Sequence, residues 1–170
     1  MHSRRVVVMG VAGSGKTTVG RAVARVLGLP FVDADSLHPP ANVAKMAAGH
    51  PLDDHDRGPW LAAVRDTLAA SDAVVVACSA LRQRYRDVLR AAGGVVFVFL
   101  DLDPATATER TEQRTGHYMG PMMVAGQFDA LERPDGEVDV LTIDATEEVD
   151  LVVHHVLLAL DAPPAGSDGA

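Results

Sequence analysis

The chain has 170 residues, 48% hydrophobic and 22% charged, with a formal net charge of -8 and a single cysteine. That length suits one domain with a continuous core, and the composition excludes disorder over most of the chain. The negative balance argues against nucleic acid or an anionic membrane as partner, and a lone cysteine excludes an internal disulfide, so a reduced, cytoplasmic setting is expected.

In chain order, Arg5 to Met9 is a run dominated by valine and followed by glycines, which predicts a strand buried on both faces and hence a parallel sheet. The run is too short for a signal-peptide core, and no stretch has the length and apolarity of a membrane span. Lys16 to Leu27 places Val19, Ala22, Val23, Val26 and Leu27 at helical spacing, and Gly28 supplies a stop. Phe31 to Asp33 predicts a short strand ending in acid. Two helical stretches are expected between Ala41 and Ala70, broken at Gly49 to Pro59 by charge and turn residues, and this break is read as a substrate loop. Strands follow at Ala73 to Ala77 and Val95 to Leu100, with a helix over Gln83 to Ala92 between them. Pro104 opens a helix towards Arg114. Gly116 to Gly126, with three glycines and three methionines, reads as a mobile lid. Val140 to Ile143 is the fifth strand, Glu147 to Leu160 the closing helix, and Pro163 to Ala170 a tail of small residues. The alternation predicts an α/β three-layer sandwich around a five-stranded parallel sheet. The expected organisation is one domain over 1–161, with a substrate segment at about 36–70, a lid at about 110–134 and a flexible tail at 162–170.

The segment Gly10-Val11-Ala12-Gly13-Ser14-Gly15-Lys16-Thr17 matches G-x-x-x-x-G-K-[ST] between a predicted strand and a predicted helix. Amides over Gly10, Ala12, Gly13, Ser14 and Gly15 can converge on the phosphates of ATP. Lys16 reaches the β/γ-phosphates, the Thr17 hydroxyl can ligate Mg²⁺, and Thr18 continues the helix whose positive end faces the anion. The absence of N-K-x-D and D-x-x-G argues against a GTPase switch. The strand Ala73 to Ala77 runs into Cys78-Ser79 rather than an acid, so the second metal anchor must lie elsewhere. Asp33-Ala34-Asp35 offers it: on an extended segment both carboxylates project to one side, Asp33 towards Mg²⁺ through water and Asp35 towards a substrate hydroxyl. A solvated acidic turn stays open as the plainer reading.

The P-loop followed by Asp33-Ala34-Asp35-Ser36-Leu37-His38-Pro39 resembles the gluconokinases. The resemblance continues through Lys45-Met46-Ala47-Ala48-Gly49-His50-Pro51-Leu52, Asp56-Arg57-Gly58-Pro59-Trp60-Leu61, Cys78-Ser79-Ala80-Leu81-Arg82-Gln83-Arg84-Tyr85-Arg86-Asp87 and Gly116-His117-Tyr118. It implies a nucleoside-monophosphate-kinase-like P-loop fold, ATP-dependent phosphorylation of D-gluconate to 6-phosphogluconate, Mg²⁺, and a homodimer. A sugar acid needs guanidinium forks for its carboxylate, for which Arg57, Arg86 and Arg82 are candidates, and hydroxyl partners, for which Asp35 and His38 are candidates; His117 falls in a matching signature. Asp35 is the expected proton acceptor. Arg110 and Arg114, four apart on one predicted helix, are expected to meet the transferring phosphoryl and the adenine. Another small-molecule kinase of this fold, for shikimate or a nucleoside monophosphate, and a nucleotide-binding regulatory module without turnover are the rival readings. Plainer roles are expected elsewhere: Trp60 as a core anchor, Cys78 as an inert thiol, His154 and His155 at the surface, and Met119, Met122 and Met123 as lid packing.

Overall fold

The computed structural model describes residues 4–114 and 121–161. Five strands, β1 (Arg4–Met9), β2 (Phe31–Asp33), β3 (Ala73–Ala77), β4 (Val95–Asp101) and β5 (Val140–Asp144), lie in the order β2-β3-β1-β4-β5. All pairings are parallel, with Val7 opposite Val76 on one side and Phe97 on the other. The helices are α1 (Lys16–Leu27), α2 (Pro40–Ala47), α3 (Asp54–Ala69), α4 (Gln83–Arg90), α5 (Pro104–Glu112), α6 (Pro121–Ala130) and α7 (Val149–Asp161), with a 3₁₀ turn at Ala34–Leu37.

Strand alternation sorts the core into two layers. Val6, Val8, Val75, Val98 and Leu100 face one way, onto Val19 and Val23 of α1, Ala107 of α5, Val124 of α6 and Val152 and Val156 of α7. Val7, Met9, Val74, Val76, Phe97 and Phe99 face the other, onto Trp60, Leu61, Val64 and Leu68 of α3 and Leu89 of α4. Each fully buried aliphatic side chain contributes roughly 1.5–3 kcal/mol of transfer free energy, and the central strands are apolar because both faces are covered. At the lower end of the sheet, the Arg5 guanidinium donates to the carbonyls of Ser71, Ala92 and Gly93, tying in the chain where α3 and α4 end.

The expected break at Gly49 to Pro59 is shorter than the sequence suggested. Asp53 and Asp56 form a reciprocal capping box that starts α3 at Asp54, and Pro59 sits within its second turn, where one lost amide bond is tolerated. Lys45 adds an ion pair to the same box at 2.5 Å from Asp56. The described part of the predicted lid is helical: α6 already begins at Pro121, and Met122 and Met123 are exposed rather than packed. Met119, His117 and the tail at 162–170 lie outside the described residues. Among the described residues, no helix is long and apolar enough to cross a membrane.

Candidate active site

β1 delivers the chain to the phosphate loop, and α1 leaves it from Gly15 without a side-chain cap, so the amides of its first turn point at the loop with the positive end of the helix dipole. The loop is clamped where side chains cannot fit. A Cβ on Gly10 would lie 2.8 Å from Ser14 Oγ and 3.0 Å from the Leu100 carbonyl oxygen, and one on Gly13 would lie 2.8 Å from the Ala107 carbonyl oxygen of α5. Gly13 also has φ +81, a conformation costly to residues with a side chain. Ser14 Oγ is buried without a hydrogen-bond partner among the described residues, an orphaned polar atom of the kind that marks a ligand site.

Lys16 Nζ donates to the Val11 carbonyl at 3.1 Å. Burial lowers its pKa, opposed by the nearby Asp35 carboxylate and reinforced by Arg114. An ammonium held among groups of both signs, and short of solvent, is well placed for phosphate oxygens. Thr17 Oγ1 donates to Asp33 Oδ2 at 3.1 Å. A hydroxyl and a carboxylate side by side suit Mg²⁺, a hard cation that keeps several waters and takes further oxygens from a triphosphate. Among the described residues there is no cluster of three or more His, Cys, Asp or Glu that could hold a metal.

Asp33 and Asp35 do not form the extended pair the sequence suggested. The backbone turns into 3₁₀ geometry at Ala34, and Asp33 Oδ1 accepts the Asp35 amide at 3.0 Å. Asp33 is thereby aimed at Thr17, while Asp35 stays exposed, its charge partly offsetting the burial that lowers the pKa of Lys16 and of His38. The two carboxylates part company because a cap, rather than a pleat, sets their directions.

Around Asp35 stand His38, Arg57 and Trp60. The His38 ring stacks on Trp60 with centroids 4.4 Å apart, and Trp60 Nε1 donates to the Ala34 carbonyl at 2.7 Å. Trp60 is therefore both core anchor and platform. Arg57 lies over the Tyr85 ring at 5.7 Å, and Tyr85 is itself fixed by its hydroxyl donating to Asp54 at 2.5 Å. Among the described residues the Arg57 guanidinium makes no hydrogen bond or ion pair, and Arg82 keeps only a 3.8 Å approach to Glu132.

Arg86 is different. It is buried, and all five of its N–H donors are used within the protein: by both oxygens of Glu137 and by the carbonyls of Ala80, Leu81 and Glu132. The expectation that it forks a substrate carboxylate is overturned, since no donor remains for one. What it holds is the turn after β3, where Ala80 adopts φ 44. Cys78, two residues before Ala80 and just past the end of β3, is buried, and that burial pushes its thiol up to about 12.

On the other flank of the loop, a cavity of about 420 Å³ is lined by Gly13, Gly15, Thr18, Arg110, Gln113, Arg114 and residues 146–149. Arg110 lies on α5 beside the β5–α7 loop, where it helps the Thr146 hydroxyl and amide hold the Asp144 carboxyl below its ordinary range. Arg114 falls two residues past the end of α5, so the pair does not share a helix face as expected, but both still border one cavity. The Ala12 amide, expected to serve the phosphates, donates to Gln127 Oε1 of α6 at 2.6 Å. Gln127, Asn42, Tyr85 and residues 146–149 were not singled out by the sequence; the loop after a fifth strand at the carboxyl edge of the sheet was the available signal for the last of these.

Comparison with known proteins agrees with this geometry. The family model described as shikimate kinase matches residues 12–156. The thermosensitive gluconokinase of Escherichia coli (strain K12) is 40% identical over 155 residues, covering 88% of this chain and 83% of that protein. The crystal structure of a gluconokinase from Sinorhizobium meliloti 1021 superposes with a TM-score of 0.88 at 45% identity, covering 94% of this chain and 92% of the other. Shikimate kinase from Aquifex aeolicus vf5 shares the fold alone, with a TM-score of 0.64 at 20% identity over 92% of this chain and 96% of the other.

Proposed function

The chain belongs to the gluconokinase family, and from that premise we propose that it transfers the γ-phosphoryl group of ATP to D-gluconate, giving ADP and 6-phospho-D-gluconate. The observation that carries this reading is the placement of Asp35 between Lys16 of the phosphate loop on one side and His38, itself near Arg57, on the other; it supports a cleft in which a polyol acid faces a triphosphate.

The phosphate loop amides from Gly13 to Thr18, with Gly10 providing close approach, hold the triphosphate. Arg110 and residues 146–149 border the adenine side. Lys16 and Arg114 place positive charge where negative charge builds on the transferring phosphoryl. Thr17 and, through water, Asp33 would hold Mg²⁺, which when bound neutralises the β- and γ-phosphate oxygens. Arg57, with Arg82 beyond it, faces the carboxylate, and His38 and His117 complete the hydroxyl contacts. The gluconate 6-hydroxyl oxygen bonds to the γ-phosphorus as the bond from that phosphorus to the β,γ-bridging oxygen breaks, and the hydroxyl proton passes to the Asp35 carboxylate. A strong base is not needed, because the transition state is loose.

The same reading places the substrate segment at about 36–70 and the lid at about 110–134 of one domain, 1–161, with 162–170 outside it. It also gives a cytoplasmic homodimer. Phosphorylation of shikimate instead is disfavoured by 20% identity against 40–45% for gluconokinases. Purified protein in magnesium buffer should release ADP only when gluconate is supplied, and Lys16→Ala should lose this release at least hundredfold while staying folded. ADP release with shikimate but not gluconate would overturn the substrate, and gluconate-independent nucleotide binding without turnover would favour a regulatory module.

A further inference from the structure

Asn42 is buried on α2, and its side-chain nitrogen has two neighbours: the Asp56 carbonyl oxygen at 2.8 Å and His38 Nδ1 at 3.3 Å. A carbonyl oxygen can only accept, so the Asp56 contact requires the NH₂ end of the amide to face this way; turned over, two oxygens would meet at 2.8 Å. The second N–H of the same NH₂ then points at His38 Nδ1, which must present a lone pair. The imidazole proton is left on Nε2. Protonating Nδ1 would set one donor against another in a buried place, at the cost of an unmade hydrogen bond.

The plane of the ring is fixed by the stacked Trp60. Burial lowers the His38 pKa; the Asp35 carboxylate works against this and the Arg57 cation reinforces it. Among the described residues no hydrogen bond engages Nε2.

Building on the gluconokinase reading, we propose that Asn42 is a positioning residue that fixes His38 as the neutral Nε2–H tautomer, so that His38 serves the cleft as a donor to an oxygen of the polyol acid and never as an acceptor. Asp35 beside it is an acceptor only. The cleft thus offers one donor and one acceptor of fixed polarity next to the Arg57 cation, a pattern that a hydroxyl, able to give and receive, can satisfy at both points.

Nitrogen NMR of the full chain labelled in its histidine rings tests this at neutral pH, without depending on turnover. His38→Gln assigns the signal among the seven histidines. The expected spectrum shows His38 protonated at Nε2 only, with that nitrogen shifting when gluconate is added. In Asn42→Asp, of nearly the same size but presenting an acceptor to Nδ1, the His38 proton should move from Nε2 to Nδ1, leaving Nε2 a lone pair. The gluconate KM should then rise roughly tenfold, the worth of one hydrogen bond, while the ATP KM stays within about twofold. A wild-type His38 protonated at Nδ1 overturns the proposal, as does a reversed tautomer in Asn42→Asp with an unchanged gluconate KM. Should Asn42→Asp not fold, the wild-type spectrum and the gluconate-induced shift decide the matter. A wild-type protein inactive on gluconate would remove the functional reading while the tautomer is still read from the spectrum.

Discussion

Replacing Glu137 with alanine should unfold the turn that supports the substrate side of the cleft without removing any group that touches a ligand. Arg86 has no exposed side-chain surface and Glu137 only 14%. Breaking a buried ion pair from one side leaves an uncompensated charge and costs about 3–5 kcal/mol. Here Arg86 would keep three carbonyl acceptors, which places the loss near the low end, about 3 kcal/mol. At roughly 2–4 °C per kcal/mol for a chain of this size, Tm should fall by about 6–12 °C in a thermal scan followed by circular dichroism. The effect should depend on pH. Burial alone would raise the Glu137 carboxyl, but hydrogen bonds from Arg86 and Arg90 more than reverse this and hold it below its ordinary 4.5. A depressed folded-state pKa gives stability above the unfolded value that is lost as pH falls through the folded one. The gap between wild type and Glu137→Ala should therefore be widest above pH 4.5 and narrow steadily in more acid buffer. A Tm within about 2 °C of wild type at neutral pH would refute the reasoning, and so would a gap that persists unchanged into acid.

Asp35→Asn should lower kcat by about a hundredfold or more and leave ATP affinity nearly intact, the outcome expected of the proposed proton acceptor for the substrate hydroxyl; single-turnover kinetics with a wild-type rate would end that role. Arg57→Ala should raise the gluconate KM by roughly ten- to a hundredfold, the worth of a charge-assisted contact, with Tm little changed. An unaltered KM would take Arg57 out of the pocket. Gly13→Ala must fit a Cβ 2.8 Å from the Ala107 carbonyl oxygen at φ +81, so a loss of about 2 kcal/mol in stability and a raised ATP KM are expected together. A variant with wild-type Tm and ATP KM would show that α5 gives way without consequence.

Most of the sheet was legible because a parallel strand covered on both faces reads as an uninterrupted apolar run, as at Val6 to Met9 and Val74 to Ala77. The phosphate loop was legible because its glycines and lysine are local in sequence, and so is the structure they form. What escaped depends on partners far along the chain. Arg86 looks like any arginine on an exposed helix until Glu137, 51 residues on, folds against it. Asp33 and Asp35 do not take the expected extended geometry, because the Asp33 cap on the Asp35 amide turns the backbone just where a strand was expected to continue. Gly58-Pro59 reads as a helix breaker, yet the Asp53–Asp56 box starts α3 before it and core contacts of Trp60 and Leu61 carry the helix through. Asn42 gave no sign at all, since a lone buried amide gains meaning only from the two atoms it separates.

Cys78, sealed behind the phosphate loop, gives the molecule a built-in clock. A thiol with its pKa near 12 and 2% of its surface exposed is deaf to alkylating reagents in the native state. As the sole cysteine of the chain, it can be labelled only when the centre of the sheet parts, so the labelling rate counts openings one by one. ATP, by holding the loop shut, should slow that count in proportion to how tightly it binds.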